Sequence, residues 1–190
     1  MRAQAIRLAM IGPSGSGKST AARELVATCA ESGLRCGIYK LALPLYQLQE
    51  HFYRIAGRTL EPEAQDQALL EAVATRLRAI SPTSLVDDLG RRLEQAEEDV
   101  VLNDDLRDDE TDWPFMEKLG FRVVRIVTPE TVRLGRLGGR GDPTVIRSSA
   151  LDRQLARIPA EFIIANGASG LDGLKAQIRT LVRHITGARR

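Results

Sequence analysis

One short run constrains this chain more than any other: Gly12-Pro13-Ser14-Gly15-Ser16-Gly17-Lys18-Ser19, which matches G-x-x-x-x-G-K-[ST]. The mostly apolar Ala5–Ile11 precedes it and reads as a buried strand. Ser19 to Ala30 follows and reads as a helix, with Gly33 near its stop. Strand, glycine loop, helix is the context in which this motif holds phosphate. Glycines let the backbone wrap so that successive N–H groups point inward, and the helix N-terminus adds its positive end. Lys18 is expected to reach the β- and γ-phosphates, and the Ser19 hydroxyl to ligate Mg²⁺. The expected nucleotide-binding set is Gly12, Ser14, Gly15, Ser16, Gly17, Lys18, Ser19 and Thr20. ATP or GTP binding follows from this; phosphoryl transfer does not, because switches and motors share the loop.

Further along, Leu34–Leu43 reads as a second strand, Val100–Leu102 as a third, Arg122–Val127 as a fourth and Glu161–Ala165 as a fifth. Helices are expected at Trp113–Leu119, Pro129–Gly138 and Leu171–Ile185, and 138–148 reads as a mobile loop. Residues 45–96 are helical throughout. Leu69, Leu70, Val73 and Leu77 share one face, Ser81-Pro82 breaks the run, and Leu85, Val86, Leu89 and Leu93 share the next. Strands separated by helices predict an α/β fold: a five-stranded parallel sheet flanked by helices. The expected organisation is a single domain, with core 1–44 and 97–190, a helical insertion at 45–96 and a lid at about 130–148.

A chain of 190 residues with 43% hydrophobic content suits one domain with a real core. Its 27 basic and 25 acidic residues leave a net charge of +2, which argues against a dedicated nucleic-acid or membrane-surface binder. No apolar run approaches a membrane span, and Met1 to Met10 lacks the apolar core and cleavage site of a secretory signal. Cys29 and Cys36 form no CxxC pair and are expected as reduced thiols in a cytoplasmic protein. Most of the basic residues are Arg; the lysines are Lys18, Lys40, Lys118 and Lys175.

Charge is unevenly placed. Residues 97–112 are acidic, with Arg107 as their one base, and 122–157 are rich in Arg. In Val100-Val101-Leu102-Asn103-Asp104-Asp105 an apolar strand ends in carboxylates, beside the cradle where an open α/β sheet binds its ligands. Asp105 is the expected catalytic acid and metal ligand, with the choice between Asp104 and Asp105 as the acid facing the metal left open. Asp108, Asp109 and Asp112 read as a solvated helix start. Arg133, Arg136 and Arg140 recur among Gly135, Gly138, Gly139 and Gly141. Arg136 and Arg140 suit a hinged lid that closes on transferring phosphates; a solvated face is the plainer alternative, above all for Arg133.

These pieces together resemble the phage-type deoxynucleoside monophosphate kinases, within the P-loop nucleoside monophosphate kinases. Asp105-Leu106-Arg107 with Glu110, then Leu119-Gly120-Phe121-Arg122-Val123-Val124-Arg125-Ile126, is similar to that family's Asp-x-Arg, downstream Glu and Gly before the next strand. Leu69-Leu70-Glu71 and Thr75-Arg76-Leu77-Arg78 before Ser81-Pro82 resemble its helical lobe. Ser149-Ala150-Leu151-Asp152, Phe162 to Gly167 and Leu171 to Leu174 resemble its closing strand and helix, which places Asn166 with the nucleotide-binding set. The resemblance implies a P-loop NTPase fold with a helical substrate lobe and a lid. The implied reaction is ATP- and Mg²⁺-dependent phosphorylation of a (deoxy)nucleoside monophosphate in nucleotide metabolism. Arg76, Arg78 and Arg107 would grip the acceptor phosphate.

The chain departs from that pattern at Leu43 and Tyr46, at Ala74 and Leu85, and in lacking a His between the lid and Ser149. These departures bear on the acceptor. Tyr46, Phe52 and Tyr53 could stack on a base, though aromatics at helical spacing more often belong to the core. Two other readings stand beside the first: a P-loop kinase of another small molecule, and a non-catalytic nucleotide-binding module. No Asn-Lys-x-Asp motif supports a GTPase switch, since Asn166-Gly167 lacks the Lys. The expected partner is a small-molecule nucleotide, with a homodimer left open.

Overall fold

The computed structural model describes residues 5–61, 64–106, 108–138, 150–167 and 170–187. Its strands are β1 (Ile6–Ile11), β2 (Cys36–Ile38), β3 (Val100–Asn103), β4 (Phe121–Val127) and β5 (Phe162–Ala165). Its helices are α1 (Lys18–Glu31), α2 (Leu43–Ile55), α3 (Gln67–Ile80), α4 (Ser84–Glu94), α5 (Asp112–Lys118), α6 (Glu130–Gly138), α7 (Ala150–Arg157) and α8 (Gly170–Gly187). The strands form one sheet in the order β2-β3-β1-β4-β5, and all four pairings are parallel. This is the expected five-stranded parallel sheet flanked by helices, with the glycine loop leaving its central strand.

The apolar pattern explains the layering. Successive residues of a strand face opposite sides of a sheet. Ile6, Leu8 and Met10 of β1 therefore join Ala21, Leu25 and Cys29 of α1 and Leu174, Ile178 and Leu181 of α8 on one face. Ala9 and Ile11 join Leu85, Val86 and Leu89 of α4 and Met116 of α5 on the other. A strand buried on both faces needs a continuous apolar run, and Ile6–Ile11 supplies one. Leu8, Leu25, Leu89 and Ile178 are fully buried; each contributes about 1.5–3 kcal/mol by leaving water.

Three details differ from the sequence reading. The second strand is confined to Cys36–Ile38, and the chain turns into α2 at Leu43, where Pro44 suits the first turn of a helix. Residues 45–96 are not helical throughout: 56–61 and 64–66 lie outside helices, while Leu85, Val86 and Leu89 of α4 join the core on one face of the sheet. Ala150–Arg157 is helical, which no periodic apolar run announces. No helix among the described residues is long and apolar enough to cross a membrane. The expected lid loop falls mostly on 139–149, outside the described residues, as do Arg140 and Arg107.

Candidate active site

The glycine loop is clamped from behind. Gly17 caps α1 in the left-handed region at φ 91°, which costs a glycine nothing. The carbonyl of Ser16 accepts from Thr128 Oγ1 at 2.8 Å, from Asn166 Nδ2 at 2.8 Å and from Arg136 Nη1 at 3.4 Å. The carbonyl of Ser14 accepts from Arg133 Nη1 at 3.0 Å. Arg133 is only 4% exposed, and its Nε and Nη2 bind the Glu130 carboxylate at 2.8 and 2.6 Å. Arg133 is thus a buried brace of the loop rather than a residue of a solvated face. Asn166, just past the end of β5, is buried too, and its side-chain amide holds the loop's backbone at Ser16. Lys18 Nζ donates to the carbonyls of Gly12 at 2.6 Å and Pro13 at 3.1 Å, so its ammonium lies folded over the cradle.

The carboxyl end of β3 separates two neighbouring acids. Asp105 accepts from the backbone N–H of Leu41 at 2.8 Å and Ala42 at 3.0 Å, and from Asn103 Nδ2 at 2.7 Å. Both of its oxygens are taken, so it ties β3 to the turn that opens α2. Burial pushes its carboxyl above the usual range, against the pull of Lys40 and of those two N–H groups. Asp104 is 3% exposed and pairs through Oδ1 with Lys40 Nζ; its Oδ2 is buried without a hydrogen-bond partner among the described residues. Ser16 Oγ is in the same position. Among the described residues no three His, Cys, Asp or Glu gather as a metal cluster. A hydroxyl and a carboxylate oxygen at Ser19 and Asp104 nevertheless suit Mg²⁺, which retains several waters and needs few protein oxygens.

Two cavities meet here. One, of about 380 Å³, is lined by Ser14, Lys18, Ser19, Thr20 and Arg136, with Asp104 and Asp105 at its far side. The other, of about 570 Å³, runs between α1, the end of β2 and α2, with Tyr53, Arg54, Arg58 and Gln49 on its walls. Ser19, Arg23, Lys40, Tyr46, Gln65 and Asp104 line both. Ala64 and Asp66 beside the larger cavity are held in place: Gln49 donates to the Ala64 carbonyl at 3.2 Å and accepts from Asp66 N at 2.7 Å, and Tyr53 donates to Asp66 Oδ2 at 2.8 Å.

The predicted acceptor residues separate in space. Tyr46 lines both cavities. Arg76 is exposed on α3 and lines neither of them. Arg78 donates to Asp112 Oδ2 at 2.7 Å and lies 3.6 Å from Asp108, so its charge is already matched. Asp112, read as a solvated helix start, is instead almost wholly buried. Lys40, Arg23, Arg54 and Arg58 escaped the sequence reading. For Lys40 a signal existed: it is one of few lysines in an Arg-rich chain, two residues beyond a strand.

No family model matches the chain, and no curated protein matches it. Solved structures do. A shikimate kinase from Acinetobacter baumannii, in complex with shikimate, is 17% identical, with 97% of this chain and 95% of that chain covered and a TM-score of 0.54. A shikimate kinase from Bacteroides thetaiotaomicron is 15% identical over 95% and 98% of the two chains, at a TM-score of 0.55. A tunicamycin resistance protein from Deinococcus radiodurans is 17% identical over 94% and 96%, at 0.50. At such identities the likeness carries the fold: this chain has the α/β fold of P-loop kinases.

Proposed function

We propose that the chain is an ATP-dependent phosphotransferase acting on a small anionic acceptor, and that the acceptor is a (deoxy)nucleoside monophosphate. One observation carries the reading: the phosphate cradle and the larger cavity share the wall of Ser19, Lys40, Tyr46 and Asp104, so a donor and an acceptor can lie side by side. A non-catalytic nucleotide-binding module needs no second cavity opening on the first.

The roles follow from placement. Lys18 exchanges the Gly12 and Pro13 carbonyls for phosphate oxygens when nucleotide enters, and stabilises the charge of the transferring group. Arg136, on α6 at the cradle's edge, adds a second positive charge there. Ser19 and Asp104 would hold Mg²⁺, which when bound neutralises phosphate charge. Lys40 keeps one oxygen of Asp104 occupied and leaves Oδ2 available. Arg54 and Arg58 have no ion-pair partner among the described residues, and they face the larger cavity, where a phosphate monoester needs a guanidinium. Tyr46 and Tyr53 supply flat apolar surface beside them.

A second reading has support of its own. Two of the structures that share the fold are named shikimate kinases, so a non-nucleotide acceptor belongs in the same experiment. ADP formation is measured with ATP and Mg²⁺ against a panel of nucleoside monophosphates, shikimate and sugar acids. Acceptor-dependent ADP with a nucleoside monophosphate is expected; ADP with a non-nucleotide only would transfer the reading to the second class.

A further inference from the structure

Behind the larger cavity lies a smaller one of about 130 Å³ between α2, α3 and α4. Tyr46 and Gln65 border both, so an acceptor seated in the first can extend into the second. Its sides are apolar: Leu41, Leu45, Leu70, Ala74 and Leu85. Its polar end is Arg78, Asp108 and Asp112. The two spaces differ in charge. Arg23, Lys40, Arg54 and Arg58 line the larger against Glu50, Glu61 and Asp104, whereas the smaller sets Arg78 against Glu71, Asp105, Asp108 and Asp112. An acceptor with its anionic end in the first and hydrogen-bond donors at its other end is complementary to the pair.

The polar end is unfinished. Arg78 Nη1 and Asp112 Oδ1 are both buried with no hydrogen-bond partner among the described residues, and an Asp108 carboxylate oxygen lies 3.6 Å from that nitrogen. A buried donor and a buried acceptor left open side by side are met by a ligand edge carrying an acceptor next to an N–H. Arg78 is 24% exposed along its side chain, so a small rotation brings that edge within reach. The slot's size favours a small ring: at about 130 Å³ it is near the size of a cavity that takes one benzene ring, about 150 Å³, and so suits a single six-membered ring better than a fused bicycle.

Resting on the nucleoside monophosphate reading, we infer that the slot between α2, α3 and α4 is a base subsite selecting pyrimidines. A ring carbonyl or ring nitrogen accepts from Arg78, and the adjacent amine or imide N–H donates to Asp112 or Asp108. Tyr46 and Gln65 form the neck between base and sugar phosphate.

The test uses the full chain, with ATP held saturating and pyrimidine and purine nucleoside monophosphates compared as acceptors. Pyrimidine monophosphates are expected to have a kcat/KM at least about tenfold higher than purines. Ala74→Leu fills the slot without touching its polar end. It should raise KM for the pyrimidine monophosphate about tenfold and leave KM for ATP and the melting temperature unchanged. Asp112→Asn should raise the same KM about tenfold, together with a loss of stability because it neutralises a buried partner of Arg78; should it not fold, Ala74→Leu decides. Calorimetry with free cytidine and uridine gives a readout apart from turnover, with binding that Ala74→Leu abolishes. Equal or better use of purines, or an Ala74→Leu variant with unaltered pyrimidine KM, overturns the subsite and leaves the proposed function standing. If no nucleoside monophosphate is phosphorylated and no pyrimidine nucleoside binds, both fall.

Discussion

Asn166 Nδ2 donates to the carbonyl of Ser16 at 2.8 Å, joining the end of β5 to the middle of the glycine loop. Thr128 and Arg136 donate to that same oxygen, so β4, α6 and β5 together set the loop's curvature from beneath. A loop that must present its N–H groups to phosphate gains from having its carbonyls held outward. Asn166→Ala should leave that buried carbonyl short of one donor, at a cost of about 1–3 kcal/mol in stability. KM for ATP should rise by about tenfold. Gly17→Ala should be worse, because a Cβ at that position falls on Asn166 Nδ2 and the left-handed φ of 91° is strained for alanine. Thermal melts and ATP titrations of both variants check this.

Arg133 and Arg136 sit three residues apart on α6 and do different things. Arg133 is buried and braces the Ser14 carbonyl, so Arg133→Ala should cost stability, about 1–3 kcal/mol, read by denaturant unfolding. Arg136 lines the cradle, and its hydrogen bond to the loop is long at 3.4 Å, a contact easily exchanged for phosphate. Arg136→Ala should lower kcat by about 10²-fold while the melting temperature stays within a degree or two. A stable Arg133→Ala protein, or a fully active Arg136→Ala enzyme, would reverse these assignments.

The neighbours Asp104 and Asp105 should separate in the same way. Asp105→Asn turns an amide N–H toward the N–H of Leu41 or Ala42, and should destabilise the fold by about 1–3 kcal/mol. Asp104→Asn keeps the shape but removes the charge beside Ser19, and should lower kcat about 10²-fold with only a small loss of stability. Steady-state kinetics across Mg²⁺ concentrations, together with melts, distinguish the two.

Much of this was legible in the chain. The loop motif and the apolar runs place β1 as a buried strand with α1 after it, because a doubly buried strand needs uninterrupted apolar residues; the strand order is seen only in the structure. The lobe's helices follow from Leu70, Val73 and Leu77 recurring on one face. The acceptor side was harder to read. Arg76 and Arg78 are close in sequence, but on a helix two residues apart they face different ways, one to solvent and one to Asp112. Nothing in Asp104-Asp105 says which carboxylate will be consumed by the N–H groups of Leu41 and Ala42, since that depends on a turn 63 residues away. Lys40 and Arg58 reach the site through tertiary packing, and no local pattern marks them.

Tyr39 ties the approach to Lys40 to the segment just before β3. Its hydroxyl donates to Glu98 Oε2 at 2.7 Å. That bond holds the Glu98 carboxyl below its usual range, while burial and the same bond push Tyr39 up to about 12. For a depressed acid, the stabilisation is present above its unfolded value and is lost as pH falls through the folded one. For a raised phenol, it is present below the unfolded value of 10.0 and is lost as pH rises through about 12. Tyr39→Phe should therefore be less stable than the parent by about 0.5–1.5 kcal/mol across neutral pH. The gap should narrow both on acidification below Glu98's depressed value and above pH 12. Melting curves of the two proteins across that range test the sign.

If the cradle and the neighbouring cavity hold donor and acceptor of one transfer, γ-labelled ATP reports it. With a nucleoside monophosphate present, label is expected in the nucleoside diphosphate, one for each ADP formed, and Lys18→Ala should reduce that transfer by about 10²–10³-fold while keeping the fold. Label appearing only as inorganic phosphate, at a rate indifferent to every acceptor, or undiminished transfer in Lys18→Ala, would contradict it.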